Sequence, residues 1–150
     1  MIHYLKYRNQ EQIGTFLGDW HGEVLKAEGM DKIIDVVIPV PLHKRKLRKR
    51  GYNQVAPYAR RLAVHLGATY EERAIRKTAN TKTQTKKGRL ARWQGNRKLY
   101  TLTDPKAVAQ KNVLLVDDVI TTGATMEICA HALKEAKGVC IYLCSMAVVP

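Results

Sequence analysis

The segment Val113–Met126, VLLVDDVITTGATM, constrains the fold more than any other part of the chain. Its first four residues, Val113–Val116, are a continuous apolar run rich in β-branched side chains, which predicts a strand buried on both faces of a parallel sheet. Asp117 and Asp118 stand at the C-terminal end of that strand, and a turn of small residues, Thr121–Thr125, follows. Apolar side chains then recur on one helical stripe, at Met126, Cys129, Ala130 and Leu133. The segment therefore predicts a strand, an acidic pair, a small-residue turn and a helix, in that order.

The chemistry of this order suits a phosphorylated ligand. Ligands of open α/β sheets bind beyond the carboxyl ends of the strands. The Thr and Gly turn leaves backbone N–H groups uncovered, Gly123 can adopt a positive φ, and the positive end of the following helix faces the same side. Together with the threonine hydroxyls, these groups form a phosphate cradle. Because a phosphate would repel Asp117 and Asp118, we expect them to contact neutral or positive groups attached to it, such as ribose hydroxyls.

A purely structural role is the alternative for this segment. In many α/β proteins a strand ends in Asp and turns through small residues into a helix, where the polar side chains cap the helix or shape the turn. Two adjacent acids followed by T-T-G-x-T are harder to explain in that way, so we favour ligand binding, and the residues support binding more directly than catalysis.

Length and composition indicate a single domain over residues 1–150. The 150-residue chain is 45% hydrophobic, which is enough for a core that needs no disulfide or metal. Its apolar runs are too short to cross a membrane, and the first residues, MIHYLKYRNQ, lack the apolar stretch of a signal peptide, so we expect a cytoplasmic protein. Cys129, Cys140 and Cys144 lie on apolar patterns without C-x-x-C spacing, and we interpret all three as reduced core residues.

The remaining pattern predicts an α/β fold with a doubly wound, mainly parallel sheet flanked by helices. A packing helix is expected over Glu11–Ala27, ended by Gly29, with a buried stripe of Ile13, Phe16, Leu17, Trp20 and Val24. A second helix, with Asn53 as N-cap and ended by Gly67, carries Val55, Ala59, Leu62, Ala63 and Leu66. A third spans 123–137 before Gly138, and residues 107–111 form a connector. Strands are expected at 2–7, 33–40, 68–70 with an extension towards 75, 99–102 and 139–149.

Two basic segments lie in the middle of the chain. Six of the eight residues in His43–Arg50 are Lys or Arg. Because this run starts where the strand at 33–40 ends, we expect it to border the same binding cleft as the acidic pair. A solvated or nucleic-acid-binding surface is the alternative for this run. Residues 76–98 contain no acid and no clear period, and we interpret them as a mobile basic lid. Within them, Trp93 among several arginines also suits stacking on a base or a single strand.

Residues 113–125, VLLVDDVITTGAT, resemble the phosphoribosyl pyrophosphate (PRPP) loop of type I phosphoribosyltransferases: four apolar residues, two acids, two apolar residues and T-T-G-x-T. Within that superfamily the chain resembles the ComF competence-protein family from about Leu5 to Val148. The resemblance rests on LKYRN, IPVPLHKRKLRKRGYNQ, KTQTKKGRLARW and the PRPP loop. The RGYNQ segment, Arg50–Gln54, is the piece most particular to the family. The resemblance implies a PRPP-binding, phosphoribosyltransferase-like protein that displaces pyrophosphate from C1 of PRPP.

The same resemblance implies roles for individual residues. Asp117 and Asp118 would bind the ribose 2′ and 3′ hydroxyls and take part in catalysis. The 5′-phosphate would be bound by Thr121, Thr122, Gly123, Ala124 and Thr125, and the pyrophosphate by Pro41, Leu42, His43 and Arg50. Lys86, Lys87 and Arg89 would close a lid over the site, with Lys86 and Arg89 as further catalytic residues. No side chain would bind a metal directly, because Mg²⁺ would be carried by the oxygens of PRPP itself.

Two departures from the family pattern bear on function. Proteins of this family often carry an N-terminal, zinc-ribbon-like segment rich in cysteine, whereas this sequence has no C-x-x-C spacing. Phosphoribosyltransferases that act on 6-oxopurines place an acid where this chain has Thr121. A hypoxanthine or guanine acceptor is therefore disfavoured, and the loop resembles those of orotate phosphoribosyltransferases and amidophosphoribosyltransferases more closely. The acceptor stays open.

The net charge of +13 is concentrated in the middle of the chain. Residues 36–103 hold 18 Lys and Arg against only Glu71 and Glu72, while the remainder holds 8 bases and 11 acids. This distribution predicts a polyanionic ligand, and both PRPP and nucleic acid qualify. The hypotheses are a phosphoribosyltransferase, a non-catalytic PRPP- or nucleotide-binding protein that assists DNA uptake, and a single-stranded DNA binder. We expect no membrane partner, and a homodimer is left open.

Overall fold

The computed structural model describes residues 11–78 and 99–149. The helices are α1 (Glu11–Ala27), α2 (Lys44–Arg50), α3 (Ala56–Leu66), α4 (Pro105–Val108) and α5 (Ala124–Leu133), with a short 3₁₀ helix at Met30–Lys32. The strands are β1 (Val36–Pro39), β2 (Thr69–Tyr70), β3 (Ile75–Lys77), β4 (Tyr100–Leu102), β5 (Asn112–Ile120) and β6 (Cys140–Val148). Within these two ranges, no helix combines the length and the apolar character that crossing a membrane requires.

Four strands form a parallel sheet in the order β2-β1-β5-β6. The two central strands pair from Val36 opposite Val113 to Pro39 opposite Val116. Every residue of β1 is buried, as are Val113–Val116 of β5, because helices cover both faces of a parallel sheet. The predicted fold class, a doubly wound, mainly parallel sheet flanked by helices, is confirmed. This strand order places the C-terminal ends of β1 and β5 side by side.

The central strands supply two separate core layers. Since successive strand residues point to opposite faces, Val37 packs with Tyr58 and its neighbours on α3, whereas Ile38 belongs to the layer that contains Met126 and Cys129 of α5. The α5 layer also holds buried residues of β3 and β4. The turn that precedes α5 is thus held at the carboxyl edge of the sheet by a well-packed helix.

Helix α1 lies where it was predicted, but most of its predicted buried stripe is wrong, although Leu17 is half-buried against the core. The buried residues of α1 are Gly14, Gly18 and Gly22, whereas Phe16 is 70% exposed and Trp20 is 64% exposed. Glycines spaced four apart leave a face without side chains, so the backbones of α1 and α3 approach closely. A Cβ at Gly18 would lie 2.8 Å from the carbonyl oxygen of Tyr58. Close approach of two backbones, supplemented by Leu17, therefore joins these helices.

Several predicted boundaries also differ. The basic run after β1, for which no helix was predicted from the sequence, forms α2, capped by His43. The extension of the strand at 68–70 towards Ile75 is wrong, because β2 ends at Tyr70 and β3 is a separate strand that pairs antiparallel with β4. Residues 76 and 77, assigned to the basic lid, belong to β3. Short helix α4 lies partly within the predicted connector, and α5 ends at Leu133 rather than at residue 137.

Of the three cysteines, Cys129 and Cys144 are buried as predicted, but Cys140 is exposed at the start of β6, an edge strand of the sheet. The expected strand at 2–7 and most of the expected lid, including Lys86, Lys87, Arg89 and Trp93, lie outside the described residues. They stay predictions.

We expect the domain to lose stability as the pH falls through about 6.5. Burial lowers the pKa of His21 from its ordinary 6.5, so the folded state keeps the imidazole neutral while the unfolded chain takes up a proton. The ring contacts the hydroxyl of Tyr58 and lies 3.8 Å from the Cys144 sulfur. Burial raises the pKa of both of these groups, so they stay neutral in this range.

Urea unfolding at about pH 7.5, 6.5 and 5.5 measures this loss, with His21→Gln as the comparison. The variant should lose less stability than the wild type between the highest and lowest pH. An equal loss in both proteins would show that His21 is not responsible.

Candidate functional site

The acidic pair lies on β5 and not after it, because the strand continues to Ile120. Asp117 lies opposite Ser145 of β6 and is half-buried, like Asp118. The Asp117 carboxylate accepts a hydrogen bond from the backbone N–H of Asp118, and the Asp118 carboxylate accepts one from the N–H of Val119, each at 2.8 Å. Both carboxylates are therefore oriented by the backbone at the carboxyl edge of the sheet.

The turn that follows β5 forms a small cavity with the first acid. Asp117 and the predicted phosphate-binding residues surround a space of about 30 Å³; these are Thr121, Thr122, Gly123, Ala124 and Thr125. Gly123 adopts φ 75° immediately before α5, a conformation that costs a glycine nothing. The N-cap residue Gly123 has no side chain to cap the helix, and the hydroxyl oxygen of Thr122 accepts a hydrogen bond from the N–H of Ala124 at 3.4 Å. The structure thus brings the predicted phosphate-binding turn and one carboxylate together, with the turn at the positive end of a ten-residue helix.

Gln54 connects the acidic pair to the basic helix. Its side chain is 6% exposed, and no other amide or charged side chain of residues 11–78 and 99–149 is buried. Its Nε2 donates to Oδ2 of Asp118 at 3.1 Å, and its Oε1 accepts from Nη1 of Arg50 at 2.8 Å. A chain of hydrogen bonds therefore runs from Arg50 through Gln54 to Asp118.

Asn53 fixes the same segment to β1. Its Nδ2 donates to the carbonyl oxygen of Val40 at 3.0 Å, and its Oδ1 accepts from the N–H of Val55 at 3.2 Å. Asn53 therefore shapes the turn just before α3, close to its predicted role as N-cap, although Val55 is the residue that directly precedes the helix. The RGYNQ segment acts as a clamp between β1, α2 and β5.

Three of the predicted pyrophosphate-binding residues, Pro41–His43, directly follow the sheet strand that neighbours the strand of the acidic pair. Val40 donates its N–H to the carbonyl oxygen of Val116 at 2.8 Å, so Pro41, Leu42 and His43 leave the sheet next to β5. Nδ1 of His43 accepts from the N–H of Arg45 at 3.3 Å. Pro41 and Leu42 also line a larger cavity of about 420 Å³.

Lys77 is a cation near this site that sequence reasoning did not identify. Its Nζ lies 5.2 Å from the centre of the Tyr100 ring. Burial, followed by the positive charge of Lys46, lowers the pKa of Lys77, while Cys129 and Asp117 act in the opposite direction. Burial and the negative charge of Asp117 raise the pKa of Cys129. The β3–β4 pair therefore brings a positive charge towards the edge where Asp117 lies.

Sequence reasoning also missed Gln54 as a contact of Asp118. The available signal was that Gln54 belongs to the RGYNQ segment and lies beside a predicted helix start. Because residues 54 and 118 are distant in the chain, this signal did not indicate their contact. Lys86 and Arg89, the predicted catalytic lid residues, lie outside the described ranges. Among the described residues, no group of three or more His, Cys, Asp or Glu side chains is arranged to hold a metal ion.

Replacing Gln54 with Leu is expected to lower the free energy of unfolding by about 1–3 kcal/mol, because Asp118 and Arg50 each lose a hydrogen bond in a half-buried setting. Chemical denaturation measures the change, and Gln12→Leu on the exposed side of α1 is the matched control. Equal stability of Gln54→Leu and the wild type would mean that the clamp contributes little to the fold.

The comparisons with known proteins agree with this geometry. A model of the phosphoribosyl transferase domain matches residues 27–148. The chain is 31% identical over 136 residues to DNA utilization protein YhgH of Escherichia coli O157:H7, covering 89% of this chain and 59% of that protein. It is 33% identical over 100 residues to Competence protein ComFC of Bacillus subtilis, covering 67% of this chain and 38% of that protein. The chain thus spans only part of the length of these curated relatives.

A solved structure described as the allosteric regulatory enzyme of purine biosynthesis has the same fold, with a TM-score of 0.63 and 22% identity over 91% of this chain and 26% of that chain. The resemblance to phosphoribosyltransferases and to competence proteins, inferred from four sequence segments, is confirmed. The family match contains both the acidic pair with its turn and the RGYNQ clamp. The chain belongs to the phosphoribosyl transferase domain family.

Proposed function

We propose that this protein binds PRPP at the carboxyl edge of its sheet and transfers the phosphoribosyl group with release of pyrophosphate. The observation that supports it most directly is the cavity shared by Asp117 and the Thr121–Thr125 turn. A phosphate bound by the turn places the attached ribose within reach of the neighbouring carboxylates. Carboxylates accept hydrogen bonds from hydroxyls, and the turn supplies N–H and O–H donors to phosphate oxygens.

Each part of the site then has a separate task. Asp117 and Asp118 hold the ribose hydroxyls and place negative charge near C1, where positive charge develops as the bond to pyrophosphate breaks. Residues Pro41–His43 and Arg50 bind the leaving pyrophosphate, and Lys86 and Arg89 close over it. Mg²⁺ carried by the PRPP oxygens would neutralise part of the pyrophosphate charge. The acceptor is a nucleophile other than a 6-oxopurine, because Thr121 offers no carboxylate to a purine ring.

A role in DNA use is the second candidate, and two observations favour it. Relatives of this chain carry the names DNA utilization protein and competence protein. In addition, α2 presents six Lys and Arg residues without an acid, five of them exposed and Arg50 half-buried. Such a surface attracts the phosphates of a nucleic acid strand. In either role we propose that the protein acts in the cytoplasm.

Thermal unfolding with and without PRPP and Mg²⁺, at about physiological ionic strength, tests the proposal. A ligand that binds only the folded state at about 100 times its Kd stabilises by about 2.7 kcal/mol, so we expect a clear rise in Tm. Ribose 5-phosphate should stabilise less, because it lacks the pyrophosphate. An unchanged Tm with PRPP, together with salt-sensitive binding of single-stranded DNA, would favour the second candidate instead.

A further inference from the structure

A second cavity among the described residues is lined by residues other than the acidic pair. It has a volume of about 420 Å³ and is bordered by α2, by the start of α3 and by the segment from Glu72 to Arg76. It shares Pro41 and Leu42 with the segment that follows β1, but none of the residues from Asp117 to Met126 lines it. The volume suits a ligand of nucleotide size.

Positive charge surrounds this cavity. Four cations line it, Lys44, Arg60, Arg73 and Arg76, against a single acid, Glu72. Oε2 of Glu72 accepts a hydrogen bond from the Tyr70 hydroxyl at 2.9 Å and lies 3.7 Å from Nη2 of Arg60. The one acid is therefore already balanced by the cation beside it. The three other cations make the cavity suited to an anion.

Apolar side chains line the cavity together with the cations. Leu47, the single apolar residue of α2, lines it although 41% of its surface is exposed. Tyr52 and Pro57 also line it. An exposed leucine in the middle of a helix of cations has an explanation if a flat, weakly polar group packs against it. A cavity that combines apolar side chains with cations fits a molecule that joins an aromatic ring system to a phosphate.

We infer that this cavity is a nucleotide-binding site, separate from the acidic pair and its turn. Arg73 and Arg76 contact the phosphate, and the base packs against Leu47 and Tyr52. The cations of α2 extend the same positive surface, so neighbouring phosphates of a strand can follow it. The ligand chemistry, a phosphate beside a base, is common to a free nucleotide and to one unit of single-stranded DNA. The inference does not depend on PRPP binding.

Two charge-matched double variants test the site. Arg73→Gln with Arg76→Gln removes two of the four cations that line the cavity and leaves the backbone hydrogen bonds of both residues in place. Lys26→Gln with Lys32→Gln removes the same charge at the other edge of the sheet, before β1. Binding of a fluorescent oligothymidylate of about 12 nucleotides and of AMP is measured by anisotropy and calorimetry at several NaCl concentrations.

We expect the Arg73 and Arg76 variant to bind at least about tenfold more weakly, whereas the lysine variant stays within about twofold of the wild type. For the oligonucleotide, the slope of log K against log salt should fall by about 1.4, the value for two lost phosphate contacts on a single strand. Competition between AMP and the oligonucleotide would identify a strand unit as the ligand, and binding of AMP alone would identify a free nucleotide. Both outcomes support the site.

Unchanged binding in the arginine variant, or an equal loss in the lysine variant, would overturn the inference, as would a wild type that binds neither probe. Thermal stabilisation by PRPP and Mg²⁺, measured in the same variants, separates this result from the proposed function. If the Asp117→Asn, Asp118→Asn double variant loses the stabilisation by PRPP and the arginine variant keeps it, PRPP and the nucleotide bind at two independent sites.

Discussion

Replacing both Asp117 and Asp118 with Asn is expected to weaken PRPP binding by at least about 100-fold without unfolding the domain. Each carboxylate lies at the carboxyl edge of the sheet and is oriented by a backbone N–H. A hydrogen bond to a charged group contributes about 1.5–3 kcal/mol, and the double variant weakens two or more of them. Asn has the same size and keeps an oxygen for each backbone N–H donor, so the domain should stay folded. Asn at position 118 cannot also accept the hydrogen bond from Nε2 of Gln54, so we expect the unliganded domain to lose about 1–3 kcal/mol of stability.

The control for this prediction removes two negative charges elsewhere. Glu28 and Asp31 lie near the 3₁₀ helix before β1, at the opposite edge of the sheet. Glu28→Gln with Asp31→Asn should therefore leave PRPP affinity within about twofold of the wild type. Isothermal titration calorimetry measures both variants, and circular dichroism checks the fold. Wild-type affinity in the Asp117 and Asp118 double variant would remove these residues from the site.

Gly18→Leu is expected to destabilise the domain by about 3 kcal/mol, the largest stability effect that the structure predicts for a single substitution on α1. A Cβ at this position would lie 2.7 Å from Cβ of Arg61 and 2.8 Å from the carbonyl oxygen of Tyr58. Because one of these atoms belongs to the backbone of α3, a rotamer change cannot relieve the contact. The two helices must separate, and the buried residues behind them lose packing.

Two further variants on α1 make this prediction specific. A Cβ at Gly14 would lie 3.3 Å from Cβ of Pro57, and the better helix propensity of Ala offsets the tight contact, so Gly14→Ala should stay within about 1 kcal/mol of the wild type. Trp20 is 64% exposed, so Trp20→Gln should cost less than about 0.5 kcal/mol. Urea denaturation ranks the three variants. A neutral Gly18→Leu, or a severely destabilising Trp20→Gln, would mean that the apolar stripe is the packing face.

Structural elements that depend only on residues close together in the chain could be predicted from the sequence. The apolar run Val113–Val116, the acidic pair and the small-residue turn specify a strand, a site and a helix start within 14 residues, and the structure has each of them. The C-terminal end of α1 was equally local, because Gly29 follows it in a left-handed conformation. Residue patterns within one segment are sufficient for such elements.

Features that depend on distant residues could not be read in this way. Apolar periodicity predicts a packing face only if large side chains do the packing, and on α1 the absence of side chains at Gly14, Gly18 and Gly22 decides it. The pairing of β3 with β4 joins strands that are separated by more than 20 residues. The bond between Gln54 and Asp118 connects two segments that meet only because β1 and β5 are neighbours in the sheet.

Titration of the wild-type protein with PRPP in the presence of Mg²⁺, followed by isothermal titration calorimetry, tests the central claim most directly. A PRPP site on the edge formed by β1 and β5 predicts saturable binding of one PRPP per chain, tighter than that of ribose 5-phosphate. A Kd of 1 mM corresponds to a binding free energy of only about −4.1 kcal/mol. The absence of saturable heat at about millimolar PRPP would therefore contradict a PRPP-binding function.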